Sequence, residues 1–275
     1  MSVPRPASAA PPPPPIGALL REWRAARRMS QLELALEAGL SARHLSYVET
    51  GKARASRETI ARLADALGMP LRERNALLLA GGYAPHYSEN ALVTPALDRM
   101  RQAVELIIAH QEPYPAFVLD RHWNVVMANQ AAARVNRLLM GGRESPHANL
   151  LHQVFDPDDF RAVIRNWPEV AEKFILHLHE QLAAVPSDAT ARKLLDDVLA
   201  YPGVPERWRF RDLDSKPAPV LTLVFGSSAG ELRFFETITT FSMPRDVTLD
   251  ELRIECAFPA DDHTATVCAR LAAAG

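Results

Sequence analysis

The chain has 275 residues, 48% hydrophobic and 23% charged, with a net charge of −2. This excludes a disordered or fibrous whole and leaves room for two domains, one small and one of roughly 180 residues. No apolar run reaches the roughly 18 residues that span a bilayer, and the start is proline-rich where a signal peptide needs an apolar helix, so we expect no membrane association and a cytoplasmic location.

Charge is unevenly distributed. Residues 16–69 hold nine Lys/Arg against six Asp/Glu, a balance of +3, and everything after residue 69 carries −6. A cationic reader joined to an acidic body fits a protein that meets phosphate with one part only. The two cysteines, Cys256 and Cys268, are too few for a disulfide scaffold and lack the partners of a zinc site, so both are expected to be reduced and structural.

Residues 1–15 contain seven of the 22 prolines and read as a disordered arm without a core. From Ile16 the spacing Ile16, Leu19, Leu20, Trp23 is the apolar face of a helix running to about residue 28. Ser30 with Glu33 three residues on is a capping box for a short helix to about residue 38, which Gly39 stops. Ser41 caps a third helix over 42–50, with Leu45 and Val48 inward and Gly51 as the next stop. After a basic loop at 52–57, a fourth helix shows Ile60, Leu63, Ala64 and Leu67 on one side, and Pro70 opens a fifth that closes at Gly81-Gly82. Residues 16–82 thus form an all-α, five-helix domain.

Two short helices joined by a tight glycine turn leave the outer face of the second free to enter a major groove about 12 Å wide. Beyond the cap Ser41, the residues pointing away from Leu45 and Val48 are Ala42, Arg43, His44, Ser46 and Tyr47, the candidates for base edges. Arg43 has the fork for guanine O6 and N7. Gln31, opening the preceding helix, is placed to hold a phosphate, and Lys52, Arg54 and Arg57 would neutralise others.

This stretch resembles the Cro/lambda-repressor (XRE) type of helix-turn-helix through Met29-Ser30-Gln31-Leu32-Glu33-Leu34-Ala35, Gly39-Leu40-Ser41 and Leu45-Ser46-Tyr47-Val48-Glu49-Thr50-Gly51-Lys52. The resemblance implies a transcription regulator on a double-stranded DNA operator, and a pairing of Glu49 with Arg24. A homodimer on a two-fold operator is the expected assembly.

Residues 83–94 are polar and proline-containing and read as a linker. Beyond them we expect a helix over 95–110 and a hairpin of strands 116–119 and 123–128 turning at Asp120-Arg121-His122. A helix capped by Asn129 and three helices at 158–166, 168–184 and 188–199 come next, then strands at 219–225, 231–241 and 252–258. This gives an α+β domain over 95–260 with a five-stranded antiparallel sheet, followed by a C-terminal tail at 261–275.

The order of Pro115-Ala116-Phe117-Val118-Leu119-Asp120, Trp123-Asn124-Val125-Val126-Met127-Ala128-Asn129, Asn149-Leu150-Leu151, Asn166-Trp167 and Glu231-Leu232-Arg233-Phe234-Phe235-Glu236 resembles the MmyB-like regulators. The resemblance implies a PAS-like ligand-binding domain with a fatty-acyl or similar lipidic effector and no other cofactor. Burial of ten methylenes contributes about 8 kcal/mol before ordering costs, so a small apolar ligand needs no charged partner. The candidate lining is aromatic: Phe117, Trp123, Phe155 and Trp167, then Phe174, Phe225, Phe235 and Phe241, with Arg161, Arg165 and His177 as candidates for a carboxylate head.

Two other readings of this domain stand beside it: a ligand-free dimerisation or partner-binding module with a filled core, and a haem or flavin chromophore. Catalytic readings lack their motifs. His177 and His179 are i, i+2 on a helix and point apart, and the sequence holds neither a glycine-rich phosphate loop nor a serine nucleophile elbow.

Overall fold

The computed structural model describes residues 15–210 and 220–274, which divide into two compact units at Ser88 and Glu89. The expected arm lies, but for Pro15, outside the described residues, as do the first residue of the strand expected at 219–225 and the last residue of the chain.

The first unit holds five helices, α1 (Ile16–Ala26), α2 (Gln31–Glu37), α3 (Ala42–Glu49), α4 (Arg57–Ala66) and α5 (Leu71–Ala80). Each of the three middle helices begins at a serine whose hydroxyl accepts an amide of the first turn: Ser30 from Glu33, Ser41 from His44, Ser56 from Thr59. Ser30 and Glu33 complete the reciprocal capping box. The turn between α2 and α3 depends on Gly39 at φ +64°, a left-handed conformation that costs an L side chain strain. Leu20, Trp23, Leu34, Leu45, Ile60, Leu63 and Leu77 form the buried interior.

The twelve-residue linker expected at 83–94 is largely folded. Tyr83 donates its hydroxyl to the Ala55 carbonyl, and the Asn75 side chain binds the backbone of His86 and Tyr87, which ties 83–87 to the first unit. On the far side, Asn90 bonds Asp246 and Leu92 is buried within the second unit.

The second unit is built on one antiparallel sheet. Its strands are β1 (Ala116–Leu119), β2 (Val125–Ala128), β3 (Thr222–Ser227), β4 (Gly230–Thr239) and β5 (Arg253–Pro259), in spatial order β2-β1-β5-β4-β3. One face is covered by α6 (Asp98–His110) and α11 (Val247–Glu251), with Val104, Ile108, Val118, Ile254 and Cys256 in contact. The other carries the larger core under α7 (Gln130–Leu139), α8 (Leu150–Phe155), α9 (Trp167–Ala184), α10 (Ala189–Leu199) and α12 (Asp262–Ala273).

Several expectations need correcting. The tail expected at 261–275 is instead α12, capped by Asp261 and packed on α7 and β4 through Val267 and Cys268. The helix expected at 158–166 is a single 3-10 turn, Phe160–Ala162. The backbone after it is drawn off to the sheet, where the Arg165 amide bonds the Val224 carbonyl and the Gly226 amide the Val163 carbonyl. Trp123 belongs to the turn at φ +68°, so β2 starts two residues later than expected. The helices α8 and α11 were not expected. Both cysteines are free and buried.

Candidate functional site

The reading helix is fixed from behind. The carboxylate of buried Glu49, at the end of α3, accepts Nε (2.9 Å) and Nη2 (3.1 Å) of Arg24 and the side-chain amide of Gln31 (2.7 Å). Arg21 holds the carbonyl of the same residue at 3.1 Å. These charge-assisted bonds join α1, α2 and α3 and raise the Arg24 guanidinium above its ordinary pKa. Gln31, expected at a phosphate, donates its side-chain amide to Glu49 and so ties α2 to α3.

The opposite face of α3 is open. Arg43, Tyr47 and the cap Ser41 are exposed, while Ala42, His44 and Ser46 are half-buried at its margins. Arg43 is ordered along the helix. Its Nε donates to the Tyr47 hydroxyl at 3.1 Å and its guanidinium carbon lies 5.4 Å from the ring centroid, so the two terminal nitrogens are not those held by Tyr47. Gly51, at φ +73°, ends the helix, and Lys52 and Arg54 follow it with exposed side chains. Arg54 lies over Tyr83, 5.3 Å from the centroid. Arg57 is the first residue of α4, outside the loop where it was expected, and flanks an open groove shared with Arg74 and His86.

In the second unit, a cavity of about 70 Å³ opens between the sheet and α7, α8 and α9. Of the eight aromatic candidates, Phe117, Phe174 and Phe225 line it. Trp123, Phe155 and Trp167 belong to the surrounding core: Trp123 packs edge-on against Phe174, Phe155 against Trp167, and the Trp167 indole donates to the Val154 carbonyl at 2.9 Å. Phe235 and Phe241 lie across the sheet. Phe235 stacks on Phe258, 5.5 Å between centroids, and Phe241 packs on the α6 side, so neither borders the cavity.

The three candidates for an acid head are elsewhere. Arg161 lies over Trp167 and donates to the Pro202 carbonyl, and Arg165 lies against Gly226. His177 meets Arg253, Nε2 to Nη1 at 3.1 Å, and burial lowers its pKa. His179 turns away to the Trp208 carbonyl, as the i, i+2 spacing required. Sequence reasoning missed Glu236, the ionisable residue among the described lining. Its signal was a charge at an inward position of an alternating strand, two residues after Phe234.

A capped helix-turn-helix with an exposed cationic reading face, followed by a helix-covered sheet enclosing a cavity, defines a DNA-binding regulator with a ligand-binding type of domain. The family model described as MmyB-like transcription regulator ligand binding domain matches residues 100–271, and one described as a helix-turn-helix domain matches residues 15–77. The chain belongs to the MmyB-like transcription regulators, with an XRE-type DNA-binding domain and a PAS-like α+β domain. These families are regulators rather than enzymes.

Among solved structures, the restriction-modification controller protein C.AhdI from Aeromonas hydrophila is similar at 39% identity over 22% of this chain and 89% of its own, with a TM-score of 0.21. An RNA-binding Light-Oxygen-Voltage receptor is 14% identical over 93% of this chain and 62% of its own, with a TM-score of 0.24. Both scores are too low for a comparison of folds. None of the curated proteins matches the chain. Among the described residues, no helix is long and apolar enough to cross a membrane.

Proposed function

We propose that this regulator reads a specific double-stranded DNA operator with α3, as a homodimer, and responds to a small apolar ligand in the sheet domain. The observation that carries the DNA reading is Arg43: exposed, ordered by Tyr47, and set on a helix whose other side is bonded to α1 and α2 through Glu49. Ser41, Ala42, His44 and Ser46 surround it at the groove-facing end, and Lys52 and Arg54 supply phosphate contacts that are indifferent to sequence. In a two-fold dimer the paired reading helices meet half-sites about 34 Å apart, or a multiple of that.

Selection of bound fragments from random DNA by the full chain tests this directly. A palindromic site with half-sites one or two helical turns apart is the expected product. Recovery of no sequence preference at moderate salt refutes it.

For the ligand, the support is a largely apolar lining that includes Phe117, Phe174 and Phe225, against which an acyl chain or a similar apolar body would pack. A second reading has its own observation. A cavity of about 70 Å³ is smaller than the roughly 150 Å³ that admits benzene, which favours a ligand-free dimerisation or partner-binding module. Native mass spectrometry of freshly purified protein separates the two. A retained small-molecule mass rules out the filled core, and a bare polypeptide mass that no added amphiphile shifts rules out the ligand.

A further inference from the structure

Among the described lining residues, Glu236 alone is ionisable, and the other hydrogen-bonding side chains are Asn136 and Gln153. Strand register puts a second acid beside it. Glu236 pairs with Ala257 and Ile238 with Glu255, so both carboxylates lie on the face of β4 and β5 that carries the larger core, one step apart on the diagonal. Burial, and then the charge of Glu255, raises the Glu236 carboxyl above the ordinary range. Burial raises that of Glu255 as well, against the pull of Arg253. No hydrogen-bond donor among the described residues reaches either carboxylate.

The charges around the pair do not balance. From β5, Arg253 is shared with His177 of α9 at 3.1 Å and with the face of Trp123 at 5.2 Å. From α7 and α8 come the neutral amides of Asn136 and Gln153. That guanidinium acts on Glu255 and on Asp120 and not on Glu236, which is left as an acceptor at the wall of an apolar space. The buried indole N–H of Trp123 has no partner among the described residues, but Trp123 does not line the cavity, and neither do Arg161 and Arg165.

On the reading that this cavity is the ligand site, we propose that it takes an amphiphile with an apolar body and a hydrogen-bond-donating head, an alkylammonium above all, seated on the Glu236 carboxylate. An ammonium gives Glu236 a charge-assisted partner and offsets the repulsion from Glu255. A carboxylate head adds a further acid beside two buried ones and can enter only with a proton shared among them.

The test titrates the full-length chain with octylamine, 1-octanol and octanoate by calorimetry at neutral pH and moderate salt, with the alcohol used to compete off the amine. The amine is expected to bind tightest and octanoate weakest, with on the order of tenfold or more between them. In Glu236→Gln the amine loses about tenfold while octanol changes by less than about twofold. Octanoate binding as tightly as octylamine, an amine that octanol does not displace, or an amine preference that survives Glu236→Gln each overturns the proposal. If none of the three binds, the cavity is not a ligand site and the proposal falls with it. The order of the three probes on the unaltered chain decides the matter even if the variant does not fold.

Discussion

Gly17 sits where α1 crosses the end of α3. A Cβ there would stand 2.1 Å from the Glu49 carbonyl oxygen, 2.6 Å from its carbon and 2.9 Å from its Cα. In an exposed helix, Gly17→Ala would stabilise by about 1 kcal/mol through propensity alone, so the sign of the effect discriminates. Relieving the contact separates the helices by about 1.5 Å, given that non-bonded heavy atoms prefer roughly 3.5–4.0 Å. Unless the long side chains follow, that displacement takes the Arg21 and Arg24 bonds to Glu49, now 2.9–3.1 Å, beyond hydrogen-bonding distance. Overpacking costs about 1–3 kcal/mol, and weakening the charged bonds costs about 1–2 more after allowing for the water that reaches Arg24. Net destabilisation is about 3 kcal/mol, which for a domain of this size lowers Tm by on the order of 10–20 °C. Calorimetry of the full chain reads it, the helical domain being the transition that operator DNA moves upward. An unchanged or raised Tm in Gly17→Ala would refute the close crossing and with it the account of how α3 is held.

Arg43→Ala should relax discrimination at one operator position by about 1–3 kcal/mol, whereas Lys52→Ala should weaken all sequences alike and lower the salt slope by about one, both measured by binding titrations on variant operators. Asp188, the cap of α10, is opposed by burial, but the His122 hydrogen bond, the Ala191 amide and the Arg121 charge outweigh it and bring the carboxyl to about 2 from 3.8. Its stabilisation of about 2 kcal/mol is therefore present above about pH 4 and lost as pH falls through 2, and urea unfolding of Asp188→Asn should lack this acid dependence. Ala257→Leu places three more carbons at the cavity wall beside Glu236 and should abolish amphiphile binding while leaving operator affinity without ligand unchanged, as paired calorimetric titrations would show.

All five helices of the first unit were legible because what starts and stops them is local. Serine caps, the Glu33 box and glycines at positive φ sit within a few residues of the helices they bound. The pairing of Arg24 with Glu49 was carried by family likeness, and the bond of Gln31 to the same carboxylate was not foreseen because an amide suited to phosphate is equally suited to a carboxylate 18 residues away. In the second unit, the failures are tertiary. The apolar side of α12 is narrow, Val267 and Cys268 beside the buried Thr264, too weak a stripe to announce a helix without α7 and β4 to receive it. Residues 158–166 have helical composition, but their last carbonyls and amides are claimed by the edge of β3.

The cavity was half legible for a related reason. Choosing lining residues by aromaticity ignores strand parity, and parity alone separates Phe234 and Glu236 from Phe235. Phe225 pairs with Leu232 and points under α7 and α9, whereas Phe235 pairs with Phe258 and points to the other side. Which parity faces the larger core is decided by α7 to α10, which end more than 20 residues before β3, and by α12, which follows β5, so no local window contains it. Yet a charge at an inward position was visible throughout. Leu232 and Phe234, the preceding residues of that parity on β4, are both buried and apolar, and a strand serving only to fill a core gains nothing from an acid at the next step. On the proposed reading of the cavity, a carboxylate without a hydrogen-bond partner among the described residues, kept beside empty volume, is what separates a wall that meets a ligand from one that is only covered.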